Sequence, residues 1–412
     1  MQNFNFHWAT KVHFGKDVLR ALPEEVLRYG RTVFFVYGEH SAKRSGGYDL
    51  VHRLCEEQGI RVIDFTGIEP NPRHSTVDQA VAMIKAEKPD CLLAMGGGSI
   101  IDSVKAMSIA AFHEGSCWDF YEGKAVAKQA LPILTIPTLA ASGAEVSNVS
   151  VISNHDLNRK WHYRTDLERP AVVFADPTYT MTTPPFQTAC GIIDAMSHIY
   201  EGYFSFSTGS VQDGISEGIQ KACIEHGLRL MDDPSDYESR AQLLWASELT
   251  ITHLADCGRN FIGAVHALES ALSGYLNLTH GAGIAICTRA WLHYALCEET
   301  APRIAQWGRN VWGLQAGASS AVISQGGREE ENASSMQQTM REAEAAIEAY
   351  ENFMRRLDLP LTLTELKGEI PEETLQAAAE RVCAVNDVSQ WFRPMQDPED
   401  VREVFALACR EH

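Results

Sequence analysis

Asp194, His198, His266 and His280 combine the side-chain types that hold a divalent cation with spacings that can gather them around one ion. Asp194 and His198 stand four residues apart in a stretch whose apolar positions (Ile192, Ile193, Ala195, Met196, Ile199) suit a helix, so both leave the same helical face. His266 and His280 are 14 residues apart. On one straight helix they would lie about 21 Å apart, too far to share an ion. The chain is therefore expected to reverse between them, with Ser273 and Gly274 as the break, Asn277 as a turn former, and Thr279 as N-cap of a helix beginning at His280. One aspartate and three histidines without a thiolate suit Fe2+, Zn2+, Mn2+ or Ni2+ better than copper or an iron–sulfur cluster. An ion so held can accept a substrate oxygen as a further ligand and polarise it. A histidine in a chain with 15 of them is ordinarily a core or surface residue, and His226, His253 and His293 are read that way.

A second constellation suits a dinucleotide as well as it suits a plain tight turn between a strand and a helix. Gly96, Gly97, Gly98 and Ser99 follow the apolar run Cys91 to Met95 and precede the helical pattern from Ile100 to Ala111. Glycines at a strand-to-helix turn let a pyrophosphate approach the backbone, and the free N–H groups of the helix N-terminus attract it. Asp102 is expected in the first helical turn, capping or orienting this loop. The run matches neither a Walker loop nor G-x-G-x-x-G. A further turn, Gly38, Glu39, His40, Ser41, follows the strand pattern Thr32 to Tyr37, where the ribose would be read. Glu39 suits the 2′-hydroxyl of NAD, whereas Lys43 and Arg44 suit the 2′-phosphate of NADP.

The elements that must position these groups are legible as two blocks. At 412 residues the chain exceeds the roughly 250–300 residues of a single core. We expect residues 1–183 to form an α/β dinucleotide-binding domain and 184–412 a helical metal-binding domain. The first block alternates candidate strands (32–37, 60–65, 91–95, 132–136) with helical patterns (48–58, 76–88, 100–112), the rhythm of a parallel sheet covered on both faces. After Thr183-Pro184-Pro185 the periodicity becomes helical. Residues 315–336, rich in Gly, Ala, Ser, Gln and Glu, read as an exposed loop or insertion, followed by an amphipathic helix from about 340 to 357.

Fifty-four acidic against 35 basic residues give a net charge of −19, which disfavours nucleic acid and anionic membranes as partners. The ten cysteines form no C-x-x-C pair and read as buried thiols of a reducing compartment. The N-terminal residues lack the basic and apolar regions of an export signal, and no apolar run approaches 18 residues, so a cytoplasmic protein is expected.

Taken together these residues resemble the iron-dependent, or group III, alcohol dehydrogenases, especially the branch of butanol dehydrogenases and broad-range NADPH-dependent aldehyde reductases. The resemblance spans nearly the whole chain. It includes Glu69-Pro70-Asn71-Pro72, the Gly96 to Ser99 loop with Asp102 and Lys105, Thr138 to Glu145, Asp176-Pro177, Asp194-Ala195 with His198 and Glu201, His266, and His280-Gly281. It implies a Rossmann-like domain joined to an all-α domain, the fold shared with dehydroquinate synthase. It also implies a metal, Fe2+ first and Zn2+ second, on Asp194, His198, His266 and His280, and NAD or NADP on the glycine loop. Asn71, Thr138, Ser147 and Lys160 would line the ribose and nicotinamide path, and the protein would be a homodimer. The implied reaction is hydride transfer between NAD(P)H and a small aldehyde or alcohol. Two departures stand out: Ser270 replaces a histidine usual four residues after the third ligand, and Tyr37-Gly38-Glu39-His40-Ser41 replaces the Tyr-Gly-Gly-Gly-Ser of the NADP-using branch. Ser270, and less so Glu269, are candidate proton relays. A lyase like dehydroquinate synthase would need basic residues around its charged substrate, yet segments 190–203 and 260–283 contain no Lys or Arg. A glycerol-dehydrogenase-like enzyme and a non-catalytic metal or nucleotide sensor also compete with the dehydrogenase reading.

Overall fold

The structure is a computed structural model that describes residues 2–207, 209–259, 263–315 and 328–411. Its N-terminal part is built on eight strands: β1 (Lys11–Phe14), β2 (Thr32–Tyr37), β3 (Arg61–Phe65), β4 (Cys91–Gly96), β5 (Ile133–Pro137), β6 (Val149–Asn154), β7 (Arg159–Arg164) and β8 (Val172–Ala175). Six form one sheet in the order β1-β8-β5-β4-β2-β3, parallel throughout. The helices here are α1 (Leu22–Leu27), α2 (Glu39–Arg44), α3 (Gly47–Glu57), α4 (His74–Glu87), α5 (Gly98–Ala110) and α6 (Trp118–Tyr121). β2, β4 and β5 are buried along nearly their whole length, which is why they read as continuous apolar runs. Separate apolar cores fill the two faces of the sheet, one around Phe34, Leu92 and Val104, the other around Phe35, Leu93 and Leu134.

Four of these strands match expected ones, and four go beyond them. β1 is a polar edge strand, and β8, though apolar and wholly buried, is only four residues long. β6 and β7 form a separate antiparallel hairpin, turned at Asn158 with a positive φ of 49°.

The C-terminal part is helical: α7 (Pro185–Tyr203), α8 (Ser210–Asp232), α9 (Tyr237–Thr250), α10 (Ala264–Leu276), α11 (His280–Ala295), α12 (Ala301–Asn310), α13 (Arg328–Arg356), α14 (Leu363–Lys367), α15 (Glu372–Val385) and α16 (Pro398–Ala408). No helix among the described residues is long and apolar enough to cross a membrane. The expected loop over 315–336 is corrected in part. Residues 316–327 lie outside the described residues, but 328–336 are already helical, the first turns of α13. Their Glu-rich composition is as good for a solvated helix as for a loop.

Three close approaches join the two parts. A Cβ on Gly191 would lie 2.2 Å from the Ala140 carbonyl, and one on Gly143 (φ +60°) 2.5 Å from the Ser247 carbonyl. A Cβ on Gly274 would lie 2.5 Å from the Asn158 carbonyl. The last corrects the role expected of Gly274: α10 runs straight through it, and the reversal comes at Asn277, in the left-handed region at φ 47°. Gly274 is small because the β6–β7 hairpin rests on it.

Candidate metal and cofactor site

The short α10–α11 turn returns the chain so that His280 is the first residue of α11. Thr279 occupies the N-cap as expected, though its hydroxyl makes no capping bond. Gly281 then allows α11 to press on α7, since a Cβ there would lie 2.3 Å from the Cys190 carbonyl. That contact is one helical turn from Asp194. The four expected ligands converge as a result: Asp194 Oδ1 is 3.9 Å from His198 Nδ1, 3.8 Å from His266 Nε2 and 3.5 Å from His280 Nε2. Ligand atoms of Asp194, His198 and His266 all lie within 4.8 Å of one another.

Two carboxylates absent from the expected ligand set stand behind the imidazoles. Glu201 Oε2 lies 2.6 Å from His266 Nδ1, and its Oε1 accepts the His266 backbone N–H at 3.0 Å. Glu269 Oε2 lies 2.7 Å from His280 Nδ1. Each carboxylate stands at Nδ1 and so turns Nε2 toward the cluster, the usual support of a metal-bound histidine. Glu201 falls seven residues after Asp194, two helical turns along the same face, and that spacing was a legible signal. Glu269, the weaker candidate relay, is wholly buried with its oxygens on His280 and Lys160.

The fit to a cation rests on three observations. Asp194 Oδ1, His198 Nδ1 and His266 Nε2 are buried without a hydrogen-bond partner, a costly arrangement that an ion would satisfy. Asp194, Glu201 and Glu269 are buried carboxylates with the ammonium of Lys160 beside them, an excess of negative charge that a cation would offset. Finally, the ionisation of the site is polarised. Burial opposes the charge of Asp194, but His280, His198 and His266 hold its carboxyl well below the usual range. Burial also opposes a charged His266, yet Glu201 and Asp194 push it up to about 10, so a proton there does the balancing a cation would do. Burial pushes His198 down to about 4, a neutral ligand at neutral pH.

The glycine-loop residues and the Gly38 turn expected to meet a cofactor lie at the carboxyl ends of β4 and β2, beside that of β5, where ligands of parallel sheets bind. The Gly38 N–H donates to the Met95 carbonyl at 2.9 Å, and the Thr138 N–H to the Gly96 carbonyl at 3.1 Å. Added Cβ atoms would lie 2.5 Å from Ile100 at Gly96 and 2.8 Å from Ser142 at Gly98, while Gly97 has ordinary room. The glycines thus let the loop pack flat, and Gly97 and Ser99 open α5 at its N-terminus. Ser41 Oγ lies 3.4 Å from the Gly38 carbonyl, and Glu39, half exposed on α2, pairs with Lys43 at 3.4 Å.

One expectation about an individual residue is corrected here. Asp102 is the fifth residue of α5, past the first turn, and caps nothing in the glycine loop. Its Oδ2 accepts the Val151 N–H at 3.1 Å, tying α5 to β6, and burial pushes it up to about 6 against the pull of Lys105. Asn71 donates its amide to Asn277 Oδ1 (2.8 Å) and the Leu278 carbonyl (3.1 Å), clasping the two domains beside the α10–α11 turn. Only its Oδ1 remains for a ribose. Ser147 Oγ is held at 2.8 Å by the fully buried Lys105 ammonium, and Lys160 Nζ sits 3.3 Å from both Glu269 Oε2 and His280 Nδ1. The histidines read as structural have ordinary partners: His226 with Ser239, His253 with Asp256, His293 with Glu351.

Comparison with known proteins gives a consistent result. The family model described as iron-containing alcohol dehydrogenase matches residues 9–177, and that of the Fe-containing alcohol dehydrogenase family, C-terminal, matches 188–409. The NADH-dependent butanol dehydrogenase A of Clostridium acetobutylicum is 41% identical over 315 residues, 76% of this chain and 81% of that protein. The NADPH-dependent aldehyde reductase YqhD of Escherichia coli is 31% identical, with 89% of each chain covered. The crystal structure of the NADH-dependent butanol dehydrogenase A of Thermotoga maritima superposes with a TM-score of 0.87 at 32% identity, covering 100% of this chain and 99% of the other.

Proposed function

The chain belongs to the iron-containing alcohol dehydrogenase family, and from that premise we propose that it transfers hydride between NADH or NADPH and a small uncharged aldehyde or primary alcohol of the butanal/butanol type. The convergence of Asp194 Oδ1 with three imidazoles, three of those four groups each presenting a buried atom without a partner, carries this reading. Asp194, His198, His266 and His280 would hold Fe2+ or Zn2+. A bound ion of that kind supplies Lewis acidity to the substrate oxygen, and the nicotinamide supplies or accepts the hydride. Gly97, Gly98 and Ser99 would present backbone N–H groups to the pyrophosphate, and Gly38, Glu39 and Ser41 would face the adenosine ribose. Thr138, Ser147, Asn71 and Lys160 would line the path from there to the metal, with Asp102 fixing α5 beneath it. This reading takes the domains as 1–183 and 184–412, with the site in the cleft between them.

The partners of the two arginines closest in sequence to the site segments, Arg259 and Arg289, favour an uncharged substrate. Arg259 is bonded to Asp213 and the Gly209 carbonyl, and Arg289 to Glu351 and the carbonyls of Leu407 and Arg410. Arg289 is thereby committed within the fold, and Arg259 is tied to Asp213 through Nη2, whereas a dehydroquinate-synthase-like reaction would need cations free to meet a carboxylate or phosphate. All ten cysteines are free thiols, which suits a reducing cytoplasm, and a homodimer is part of the same reading.

The test is anaerobic purification, elemental analysis of the metal, and butanal reduction with NADH against NADPH. His266→Ala should lose the metal and at least roughly a hundredfold in rate, since Lewis acidity is worth several kcal/mol and each tenfold about 1.4. Wild-type rates in that variant, with cofactor binding intact, would remove the metal from the reaction.

A further inference from the structure

Glu269 is the one carboxylate at the site that serves both domains. It lies on α10 three residues after His266 and is wholly buried. Its Oε2 is 2.7 Å from His280 Nδ1 and 3.3 Å from Lys160 Nζ, with Oε1 3.4 Å from the same ammonium. Lys160 comes from β7, on the hairpin of the α/β domain. Its Nζ also lies 3.3 Å from His280 Nδ1. An ammonium has only donors, so this contact needs Nδ1 to accept, whereas the 2.7 Å approach of Glu269 Oε2 needs it to donate; Nδ1 cannot serve both, which leaves Lys160 and His280 as rival neighbours. They are held together by the carboxylate they share.

Resting on the functional reading above, we infer that Glu269 is a positioning residue that couples the dinucleotide to the metal. While Lys160 leans on Glu269, it divides the carboxylate's charge and sets an ammonium beside an imidazole whose far nitrogen faces the cation. A dinucleotide offers Lys160 other acceptors, the oxygens of its ribose or phosphates. Drawing Nζ toward them returns Glu269 wholly to His280 and moves a positive charge away from the cation. His280 then binds the cation more tightly, and by linkage the cation tightens the dinucleotide by the same factor.

The test uses the full chain and no turnover: Zn2+ affinity by competition with a chelator, with and without NADH, and the ligand-field spectrum of the Co2+ form. In the wild type, NADH should tighten Zn2+ at least about fivefold, the low end of ordinary coupling. Lys160→Met should tighten Zn2+ in the absence of NADH and abolish NADH's effect, its Co2+ spectrum already resembling the NADH-bound wild type. Glu269→Gln should weaken Zn2+ about 10–100-fold and also abolish the effect. The opposite signs matter, because a merely structural bridge would lose affinity in both variants, and that result overturns the inference. So does a wild-type Zn2+ affinity that NADH leaves unchanged or weakens. If Glu269→Gln fails to fold, the sign of Lys160→Met decides alone. Binding of Zn2+ and NADH without coupling refutes this inference only, whereas a wild type that binds neither refutes the functional reading with it.

Discussion

Each of two imidazoles in the Asp194 cluster has a carboxylate behind it, and the carboxylates divide the labour between them. Asp194 faces the cluster, whereas Glu201 and Glu269 face the rear nitrogens of His266 and His280. The rear position sets the tautomer, and through it the direction of the ligand lone pair. Glu201→Gln keeps the shape but replaces a charged acceptor by a neutral one that can also present N–H to Nδ1. Metal affinity should fall about 10–100-fold in chelator competition. An unchanged affinity would mean that Glu201 merely fills space. The contrast with His293 is instructive, since it too meets a glutamate, Glu351, at 2.9 Å. Glu351 is shared there with the buried Arg289, so the group is a structural ion pair that ties α11 to α13.

At the scale of elements, the β6–β7 hairpin is the piece that carries Lys160 to His280 and Glu269, and its seat on α10 is made by one small residue. Gly274 lets the Asn158 carbonyl approach, and Arg381 on α15 donates to that same carbonyl. In an isolated helix Gly→Ala would stabilise by about 0.8–1.0 kcal/mol. At Gly274 the added Cβ must displace a backbone carbonyl, an overpacking cost of about 1–3 kcal/mol. The second effect should win, so Gly274→Ala should lower the unfolding free energy in denaturant titration by up to about 2 kcal/mol. A stabilised variant would show that the hairpin does not rest where it is drawn. The same reasoning explains the α10–α11 reversal: Asn277 tolerates the left-handed conformation that the turn requires, and its side chain and carbonyl then receive Asn71 and Lys367.

Across the whole molecule, the two domains meet through a buried acidic pair. Glu145 follows the loop that Gly143 presses onto Ser247, and Glu248 is the next residue of α9. Both are buried, and Glu248 has no hydrogen-bond partner for either oxygen. Burial, opposed by Lys105 and reinforced by Asp102, pushes Glu145 up to about 7, and burial together with Glu145 pushes Glu248 well up. Folded carboxyls with raised values bind protons that the unfolded chain releases above about pH 4.5, so stability falls as pH rises from there through the folded values. Glu248→Gln should therefore be near neutral at pH 5 and stabilising at pH 8, read as a flatter dependence of Tm on pH; a slope parallel to wild type would refute the pair's role. How much of this was legible in the sequence follows from the range of each interaction. Apolar runs marked β2, β3, β4 and β5, and the i,i+4 pair Asp194–His198 with the glycine loop marked the chemistry, because helical faces and strand-to-helix turns are local geometry. The sequence also required a chain reversal before His280, from length alone. Only the tertiary structure decided that the reversal falls at Asn277, that Asn71 clasps it, that Asp102 serves β6, and that Lys160 and Glu269 meet 109 residues apart. Such contacts are set by which backbones can approach closely, at Gly191, Gly274 and Gly281, and no periodicity along the chain encodes the partner on the other side.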